Sequence, residues 1–235
     1  AQRISTHAIE DEWLTYPRVD DCIVTTMQIR GHSFVFYDFP TADRTWVFDK
    51  ATQEWHEEGW FDGNGVQHRC KDLFKAFAYG VNVAQDWSSG QLYQRDETNF
   101  SDNGRPLTYI RGMPHMVDND NFNRITVWRI IADMECGNGT GVITLNPWSA
   151  GFSPGFGPIV HQGPQILLRV SRDRGFTFTT HSLQTLGLPG GYNTKPTFNR
   201  CGVAYDFIPE LQWTGPLHTA LNGVFAVVEP HLGDE

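Results

Sequence analysis

The sequence predicts an all-β protein with a β-propeller-like fold, in which each antiparallel blade contains about four strands. Three observations support this fold class. Aromatic residues make up 13% of the 235 residues, beside 23 glycines and 13 prolines, a mixture that suits short strands separated by tight turns. Within short segments, apolar and polar residues alternate, as half-buried strands require. Strand–turn–strand units also recur at a spacing of about 40 to 50 residues, which is typical of propeller blades.

Residues 1–20 are predicted to form a lead-in segment, and residues 21–235 the propeller. Ser5 or Thr6 could cap a helix that runs from Ala8 to Leu14, because a hydroxyl side chain can accept a bond from the first N–H groups of a helix. The acidic residues of this stretch fall in the first turns, where the helix dipole favours them. An irregular lead-in fits the same residues.

The blades begin near residue 22. The four strands of the first blade are predicted at residues 22–29, 33–39, 45–49 and 54–56, separated by three tight turns. A second, looser unit has predicted strands at 74–79, 81–86 and 91–95. Further strands are predicted at 107–113, 125–135, 166–171, 176–181 and 223–229, and residues 137–164 form a connection rich in Gly, Pro and Asn.

The most specific motif is the stretch S-R-D-R-G-F-T-F at residues 171–178, which has the form of an Asp-box turn. Branched apolar residues precede it and aromatics alternate with hydroxyls after it, so it is predicted at a hairpin tip. Asp173 can accept backbone N–H bonds, Gly175 can take a positive φ, and Thr177 can begin the return strand, with Ser171 opening the motif. The motif occurs in sialidases and also in propellers without catalytic activity, and a structural role is the favoured interpretation.

The charge of the chain restricts its partners. A formal net charge of −9 and a pI of about 5.4 argue against tight binding of nucleic acid through its phosphates. No apolar run approaches the ~20 residues of a membrane-spanning helix, and residues 1–5 carry no hydrophobic signal segment, so a soluble protein without a membrane span is expected.

The four cysteines lie far apart in the sequence, at Cys22, Cys70, Cys136 and Cys201. They form no C-x-x-C pair, so the sequence supports neither a zinc site nor a compact disulfide framework. We expect buried thiols in a protein made in a reducing cytoplasm.

Other candidate sites are weak. The acid- and amide-rich residues 118–123 resemble a calcium loop, but Phe122, Asn123 and Arg129 occupy positions where the loop needs other residues, and a solvated turn is favoured. His56, Glu57 and Glu58 could act as acid–base groups, although a charged surface turn after a strand explains them. No catalytic, cofactor-binding or metal-binding residue is therefore predicted. The eight tryptophans are interpreted as core residues, with Trp60 and Trp148 the expected exposed exceptions.

Several segments together resemble one family. They are R-I-S-T-H-A-I-E at 3–10, G-H-S-F-V-F at 31–36, F-P-T-A-D-R-T-W-V-F-D at 39–49, E-W-H-E at 54–57, D-W-S-S-G-Q-L-Y at 86–93, and the stretch 103–115. In this order they are similar to the tail nozzle proteins of short-tailed bacteriophages, also called packaged-DNA stabilization proteins. The resemblance covers most of residues 3–181. The part from Thr197 is less typical, since Arg200 alone represents an expected arginine-rich strand.

The resemblance implies a structural virion protein with a propeller in each subunit and no catalytic residues. The subunits would form a ring, expected to be a hexamer, below the portal and the head-to-tail adaptor. This ring would extend the DNA exit channel, with a tail needle or plug at its lower end and tailspikes or fibres as further partners. DNA would pass through it transiently and without sequence specificity. The protein is expected in the phage tail, after assembly in the bacterial cytoplasm. Because family members are generally longer, the chain is expected to be a fragment with room for about five blades.

Two alternatives stay open. A sialidase-like glycosidase would explain the Asp-box and the aromatic content, but the Arg-Ile-Pro element of such enzymes is absent: the Arg-Ile pairs at 3–4, 124–125 and 129–130 are followed by Ser5, Thr126 and Ile131. A carbohydrate-binding propeller would recognise sugars through exposed Trp and Tyr residues.

Overall fold

The protein is all-β, with antiparallel sheets and one short helix, which confirms the predicted fold class at this level. The computed structural model describes residues 3–62, 65–96, 98–102, 105–118, 123–138, 164–187, 189–214 and 218–230. The chain divides into two compact units, Ala1–Asn99 and Phe100–Glu235. The division of the chain into a lead-in and a propeller stays a prediction.

The one helix in the described part of the chain, α1, spans His7–Leu14 in the predicted lead-in. Thr6 is its N-cap, and the Thr6 hydroxyl oxygen accepts the Ile9 backbone N–H at 3.4 Å. Glu10 lies in the first turn, where its charge complements the helix dipole. The predicted helix and one of its two candidate caps are therefore confirmed.

The first sheet of unit one is a meander of five strands. They are β1 (Ile23–Ile29), β2 (His32–Phe39), β3 (Arg44–Asp49), β4 (Glu54–Phe61) and β5 (Gln67–Arg69), and they are paired in chain order. The predicted four strands are present, but β4 runs five residues past residue 56 to Phe61 and β5 was not predicted. Between β1 and β2, Arg30 and Gly31 have φ values of 49° and 81°, as a two-residue hairpin turn requires.

The second sheet of unit one has three strands. These are β6 (Asp72–Ala78), β7 (Val81–Asp86) and β8 (Leu92–Arg95), again paired in chain order. Tyr79 and Gly80 form the β6–β7 turn with φ values of 54° and 80°. The three strands lie close to their predicted positions.

Unit two contains the remaining described strands. They are β9 (Ser101–Asp102), β10 (Arg105–Pro106), β11 (Thr108–Gly112), β12 (Met116–Val117), β13 (Ile125–Met134), β14 (Gln165–Ser171), β15 (Thr179–Thr185), β16 (Thr197–Ala204), β17 (Asp206–Thr214) and β18 (Leu221–Pro230). One sheet has the order β11-β17-β14-β15, with β12 also paired to β17, and another has the order β16-β13-β18. The prediction missed β16 and β17 and placed the start of β15 too early. Most of the predicted connection, residues 139–163, lies outside the described residues.

The core of unit two takes side chains from both of its larger sheets. Its fully buried members include Val127, Ile130, Ile166, Leu168, Phe198, Phe207 and Leu211. Burial of large apolar side chains of this kind is the main stabilising contribution to such a core. The core fixes the inward face of each strand, and by alternation it also fixes which residues point outward.

Candidate functional site

The Asp-box turn connects β14 to β15 and is held by its own side chains. Asp173 Oδ1 accepts the Thr177 N–H at 2.9 Å, and Asp173 Oδ2 accepts the Thr177 hydroxyl at 2.5 Å. Ser171 Oγ accepts the Gly175 N–H at 2.8 Å, and Gly175 has a φ of 91°. Hydrogen bonds from Thr177 and Ser171 lower the pKa of Asp173 to about 2. These contacts lie within the turn, as expected for a structural motif, while the return strand begins at Thr179 and not at Thr177.

Arg172 of the Asp-box and His181 of β15 contact β16. Arg172 Nη2 donates to the Cys201 carbonyl at 2.8 Å, and its guanidinium lies 5.8 Å from the centre of the Phe207 ring. The His181 Nε2 atom lies 3.1 Å from the carbonyl oxygen of Asn199. The hairpin therefore supports the segment 199–201 of β16 from one side.

A β-bulge interrupts the pairing of this segment of β16 with β13. Val127 pairs with Gly202 and Arg129 with Asn199, so Arg200 and Cys201 both lie opposite the single residue Trp128. On the other side of β13, Val127 and Arg129 pair with consecutive residues of β18, so Trp128 has no partner in that register. A bulge redirects side chains, and here the consecutive residues Trp128 and Arg129 are both exposed.

The backbone of β16 is unusual at the bulge. Arg200 has a φ of 57°, a conformation that is uncommon for a residue other than glycine, and Gly202 has a φ of 109°. A Cβ atom at Gly202 would lie 2.8 Å from Arg172 Nη2, so a glycine is needed here both for conformation and for space. The result is that Cys201 is fully buried while its neighbour Arg200 is exposed.

A groove follows this bulge on the outer face of the sheet β16-β13-β18. It has a volume of about 600 Å³ and is lined by Trp128, Arg129, Asn199, Arg200 and Val227. A second depression of about 300 Å³ shares Trp128 and Arg200 with it. We call these two depressions the bulge groove.

The polar groups of the bulge groove are only partly used within the protein. Arg129 Nε donates to Asn199 Oδ1 at 3.1 Å, and Trp128 Nε1 donates to Glu229 Oε2 at 2.9 Å. Among the described residues, Arg200 forms no hydrogen bond or ion pair. The indole of Trp128 is 50% exposed. The groove therefore combines an aromatic surface with two guanidinium groups, an arrangement that can hold a flat or ring-shaped ligand with an anionic group.

Unit one contains a different cluster of charges, between its two sheets. The side chains of Lys75 and Asp38 are fully buried, and Lys75 Nζ lies 3.8 Å from Asp38 Oδ2 and 3.7 Å from Asp72 Oδ2. Arg95 forms ion pairs with Glu58 and with Asp72. We call these five residues the buried charge cluster.

The buried charge cluster shifts the ionisation of its members in opposite directions. Burial raises the pKa of Asp38 and of Asp72, although Lys75 and Arg95 oppose it. Burial also raises the pKa of Glu58, but the charge of Arg95 and the hydrogen bonds from His56 and Arg95 together outweigh burial and hold this pKa below its ordinary range. Cys70 lies 3.7 Å from Glu58, and burial raises the pKa of its thiol, which disfavours a reactive thiolate. The cluster therefore has the properties of a structural ion-pair network.

The sheet β6-β7-β8 places its charged residues Lys75 and Arg95 on its inner face and a row of apolar residues on its outer face. Its inner face carries Lys75 and Arg95, and Asn82 Nδ2 on that face donates to the Gln28 carbonyl of β1 at 3.0 Å. Its outer face, apart from Gln85 and Gln94, consists of apolar residues, which are Phe74, Ala76, Ala78, Val81, Val83 and Leu92. The Phe74 and Leu92 side chains are 55% and 71% exposed. We call this surface the apolar face of β6–β8.

The weaker candidate sites from the sequence do not form a common site among the described residues. His56, Glu57 and Glu58 lie within β4 and not in a turn after it, because β4 continues to Phe61. His56 and Glu58 share one side of β4 at 3.6 Å, whereas Glu57 pairs with Arg44 at 3.2 Å, so the two carboxylates do not converge. Residues 119–122 of the calcium-like stretch lie outside the described residues, and no group of three or more potential metal ligands occurs in the described part of the chain.

The prediction for the exposed tryptophans was wrong for Trp60. Its ring is partly buried and stacks on His68 with centroids 4.7 Å apart, and Trp148 lies outside the described residues. Among the tryptophans that the structure describes, the exposed ones are Trp87 and Trp128, at 46% and 50%. The bulge that exposes Trp128 depends on pairing with residues about 70 and 100 positions away in the chain, so no local sequence signal identifies it.

Comparisons with known proteins do not place the chain in a family. Neither the models of protein families nor the curated proteins contain a match to this sequence. Within the part of the chain that is described, no helix has the length and apolar character needed to cross a membrane.

Proposed function

We propose that this protein is a structural component of the tail of a short-tailed bacteriophage. In this proposal, six copies of the chain form the tail nozzle ring around one axis, below the portal and the head-to-tail adaptor. The ring extends the DNA exit channel and helps to retain the packaged DNA. The proposal is supported by the ordered set of motifs between residues 3 and 181, of which F-P-T-A-D-R-T-W-V-F-D at 39–49 is the most specific.

We further propose that the antiparallel meanders of this chain are blades of a β-propeller. The meander β1–β5 and the meander β6–β8 each pair their strands in chain order, which is the connectivity of a propeller blade. The Asp-box hairpin between β14 and β15 is a turn that occurs in such blades.

The observation that carries the proposal is the apolar face of β6–β8. A soluble protein rarely leaves a contiguous apolar surface exposed unless a partner covers it, and here the charges of the same sheet point inward. In a ring, each subunit presents two different surfaces to its two neighbours, so the partner surface need not be a copy of this face. We propose that the apolar face of β6–β8 contacts the neighbouring subunit.

The charge of the protein is compatible with a channel for DNA. A conduit should not retain its cargo, and a net charge of −9 opposes attachment to phosphates. Passage of DNA is then transient and independent of sequence. The needle or plug, and the tailspikes or fibres, are proposed as partners at the outer parts of the ring.

Assembly is tested with a pair of matched substitutions. Leu92→Lys places a charge on the apolar face of β6–β8, whereas Leu14→Lys changes an equally apolar residue that is 83% exposed at the end of α1. Light scattering and electron microscopy of the chain, alone and with the phage's adaptor protein, should show rings for the unchanged chain and for Leu14→Lys. Leu92→Lys should reduce them. A chain that stays monomeric at every concentration and never joins the adaptor contradicts the proposal.

The proposed role is assembly and not catalysis. A fluorogenic sialoside provides a direct test of the glycosidase alternative. Turnover of this substrate that is lost when a single Asp or Glu is replaced would favour the enzyme over the virion protein.

A further inference from the structure

We propose that the bulge groove binds an acidic saccharide, meaning a sugar that carries a carboxylate or a phosphate group. The groove lies on the outer face of the sheet β16-β13-β18 in unit two. The inference goes beyond the proposed function and does not rest on it, because every residue that carries it belongs to one chain.

The aromatic platform of the site is Trp128. Its indole is 50% exposed, and its orientation is restrained because Nε1 donates to Glu229 Oε2 at 2.9 Å. The exposed face of this ring offers apolar surface to the C–H side of a pyranose ring. The polar N–H at the edge of the ring already has its hydrogen-bond partner within the protein. Val227, which also lines the groove, extends this apolar surface.

The cationic part of the site is formed by Arg129 and Arg200. Arg129 uses its Nε to hold Asn199, and Arg200 makes no hydrogen bond or ion pair with any described residue. Guanidinium groups match the geometry of carboxylates and phosphates because two parallel N–H bonds can form at once. Two such groups beside an aromatic ring are unusual on a protein whose formal net charge is −9.

The other polar groups of the site favour a saccharide over a nucleic acid. The hydroxyls of a sugar need acceptors as well as donors. Glu229 does not line the groove, but it is hydrogen-bonded to Trp128, which does, and it retains acceptor capacity beyond that bond, since a carboxylate has about four lone-pair sites. The same carboxylate would repel the successive phosphates of a nucleic acid strand. A ligand with one anionic group and several hydroxyls therefore fits this set of residues best.

The site is also built on a defined backbone. Arg200 is held at a φ of 57° in a strand, a conformation that persists where the surrounding structure imposes it. Arg172 restrains the adjacent backbone through its bond to the Cys201 carbonyl, and Gly202 leaves the space for the Arg172 side chain. The Asp-box hairpin thus has a role in positioning Arg200.

The test uses the full chain and defined probes. Binding of 3′-sialyllactose and of glucose 6-phosphate is measured by saturation-transfer NMR and calorimetry, with lactose and glucose as their neutral counterparts. We expect at least one acidic sugar to bind and its neutral counterpart to bind about tenfold more weakly or not at all, because the charged hydrogen bonds are lost. A difference between 3′-sialyllactose and lactose identifies the recognised group as a carboxylate. A difference between glucose 6-phosphate and glucose identifies it as a phosphate.

Substitutions locate the site. Arg200→Gln and Trp128→Leu should each weaken binding about tenfold or more. Arg174→Gln is the matched control, because Arg174 is also exposed and also has a positive φ, of 61°, but lies outside the groove. Trp87→Leu is the control for loss of an exposed tryptophan. Thermal unfolding of each variant separates loss of binding from loss of fold, and both controls should bind as the unchanged chain does.

Three results would overturn the proposal. The first is the absence of binding of both acidic sugars at millimolar concentration. The second is binding that Arg200→Gln leaves unchanged in a folded protein. The third is tighter binding of inorganic phosphate or of a short oligothymidylate than of either sugar, which would assign the groove to a simple anion or to single-stranded nucleic acid.

Discussion

Arg172 Nη2 lies 2.8 Å from the carbonyl oxygen of Cys201, and this hydrogen bond joins the Asp-box turn to the bulged part of β16. The two bonded residues are 29 positions apart in the sequence. It satisfies a carbonyl group whose residue is fully buried, at a point where the strand backbone departs from regular pairing. Through Arg172, the Asp-box turn therefore also stabilises the backbone of β16.

Arg172→Ala should lower the free energy of unfolding by about 1 to 2 kcal/mol, because the buried Cys201 carbonyl loses its charged donor. Arg174→Ala, two residues along the same turn, should change it by about 0.5 kcal/mol or less. Urea denaturation of both variants provides the comparison. Equal midpoints for the two would mean that the Arg172 bond does not support β16.

Asp86 should make the protein sensitive to acid. Its carboxylate is 3% exposed and accepts bonds from the N–H and hydroxyl groups of Ser88 and Ser89. Burial alone raises its pKa, but these bonds lower it to about 2. The pKa of Asp86 is lower in the folded state than its unfolded value of 3.8. The ionised carboxylate therefore stabilises the fold fully at pH values above 3.8. This contribution, about 2 kcal/mol, is lost as the pH falls from about 4 to 2.

Asp86→Asn should lower stability at neutral pH and flatten its dependence on pH across this window. The measurement is the free energy of unfolding in urea at a series of pH values. A variant with the same acid sensitivity as the unchanged chain would show that other carboxylates are responsible.

Lys75 and Asp38 should be strongly coupled, since both side chains are fully buried and their charged atoms are 3.8 Å apart. Lys75→Met or Asp38→Asn alone leaves the other charge without its partner and should cost about 3 to 5 kcal/mol. The double variant should cost less than the sum of the two by about 0.5 to 3 kcal/mol. Lys50→Met, at an exposed lysine, is the control and should be nearly neutral. Additive costs in the double-mutant cycle would contradict the coupling.

The strands of unit one could be predicted because their signals are local. Arg30 and Gly31 mark a two-residue turn, and the alternation on both sides of it specifies the pairing of β1 with β2. Thr6 likewise identifies the start of α1 from the neighbouring sequence alone.

Two of the strands that were missed in unit two, β16 and β17, carry misleading local signals. Arg200 and Gly202 interrupt the alternation of β16 because the bulge requires positive φ values there. Pro209 in β17 resembles a strand breaker, since proline cannot donate to a neighbouring strand. It is tolerated because it falls between the residues that pair with β11 and those that pair with β12.

The bulge groove could not be predicted for a related reason. Trp128 and Arg200 are brought together by the pairing of β13 with β16, and each alone is an ordinary strand residue. The apolar face of β6–β8 could not be predicted either. Alternation predicts that a strand has one polar and one apolar face, but it does not indicate which face turns inward. Charged residues such as Lys75 would ordinarily be assigned to the outer face.

The four cysteines should react slowly in the folded protein. Burial raises the pKa of Cys22 to about 11 and raises the pKa of the other three thiols as well. Because the thiolate is the reactive form, Cys22 should react about a hundredfold more slowly than a thiol of ordinary pKa at the same pH. Titration with a disulfide reagent near pH 8 should show four thiols quickly in denaturant and only slow labelling without it. A rapid phase of one thiol per folded chain would contradict this expectation.

Trp13 should attach α1 to the first sheet of unit one. Its ring centre lies 5.8 Å from that of Tyr37, 5.3 Å from Phe39 and 5.7 Å from Trp55. Trp13→Ala should therefore lower the free energy of unfolding by about 2 kcal/mol, less than for a fully buried tryptophan. Leu14→Ala is the control, because the adjacent side chain is 83% exposed and should contribute about 0.5 kcal/mol or less. Urea denaturation and near-ultraviolet circular dichroism measure the two effects. If Trp13→Ala changed neither the free energy of unfolding nor the near-ultraviolet spectrum, α1 would not contribute to the stability of the sheet. The expected loss of stability would instead show that α1 folds as part of unit one.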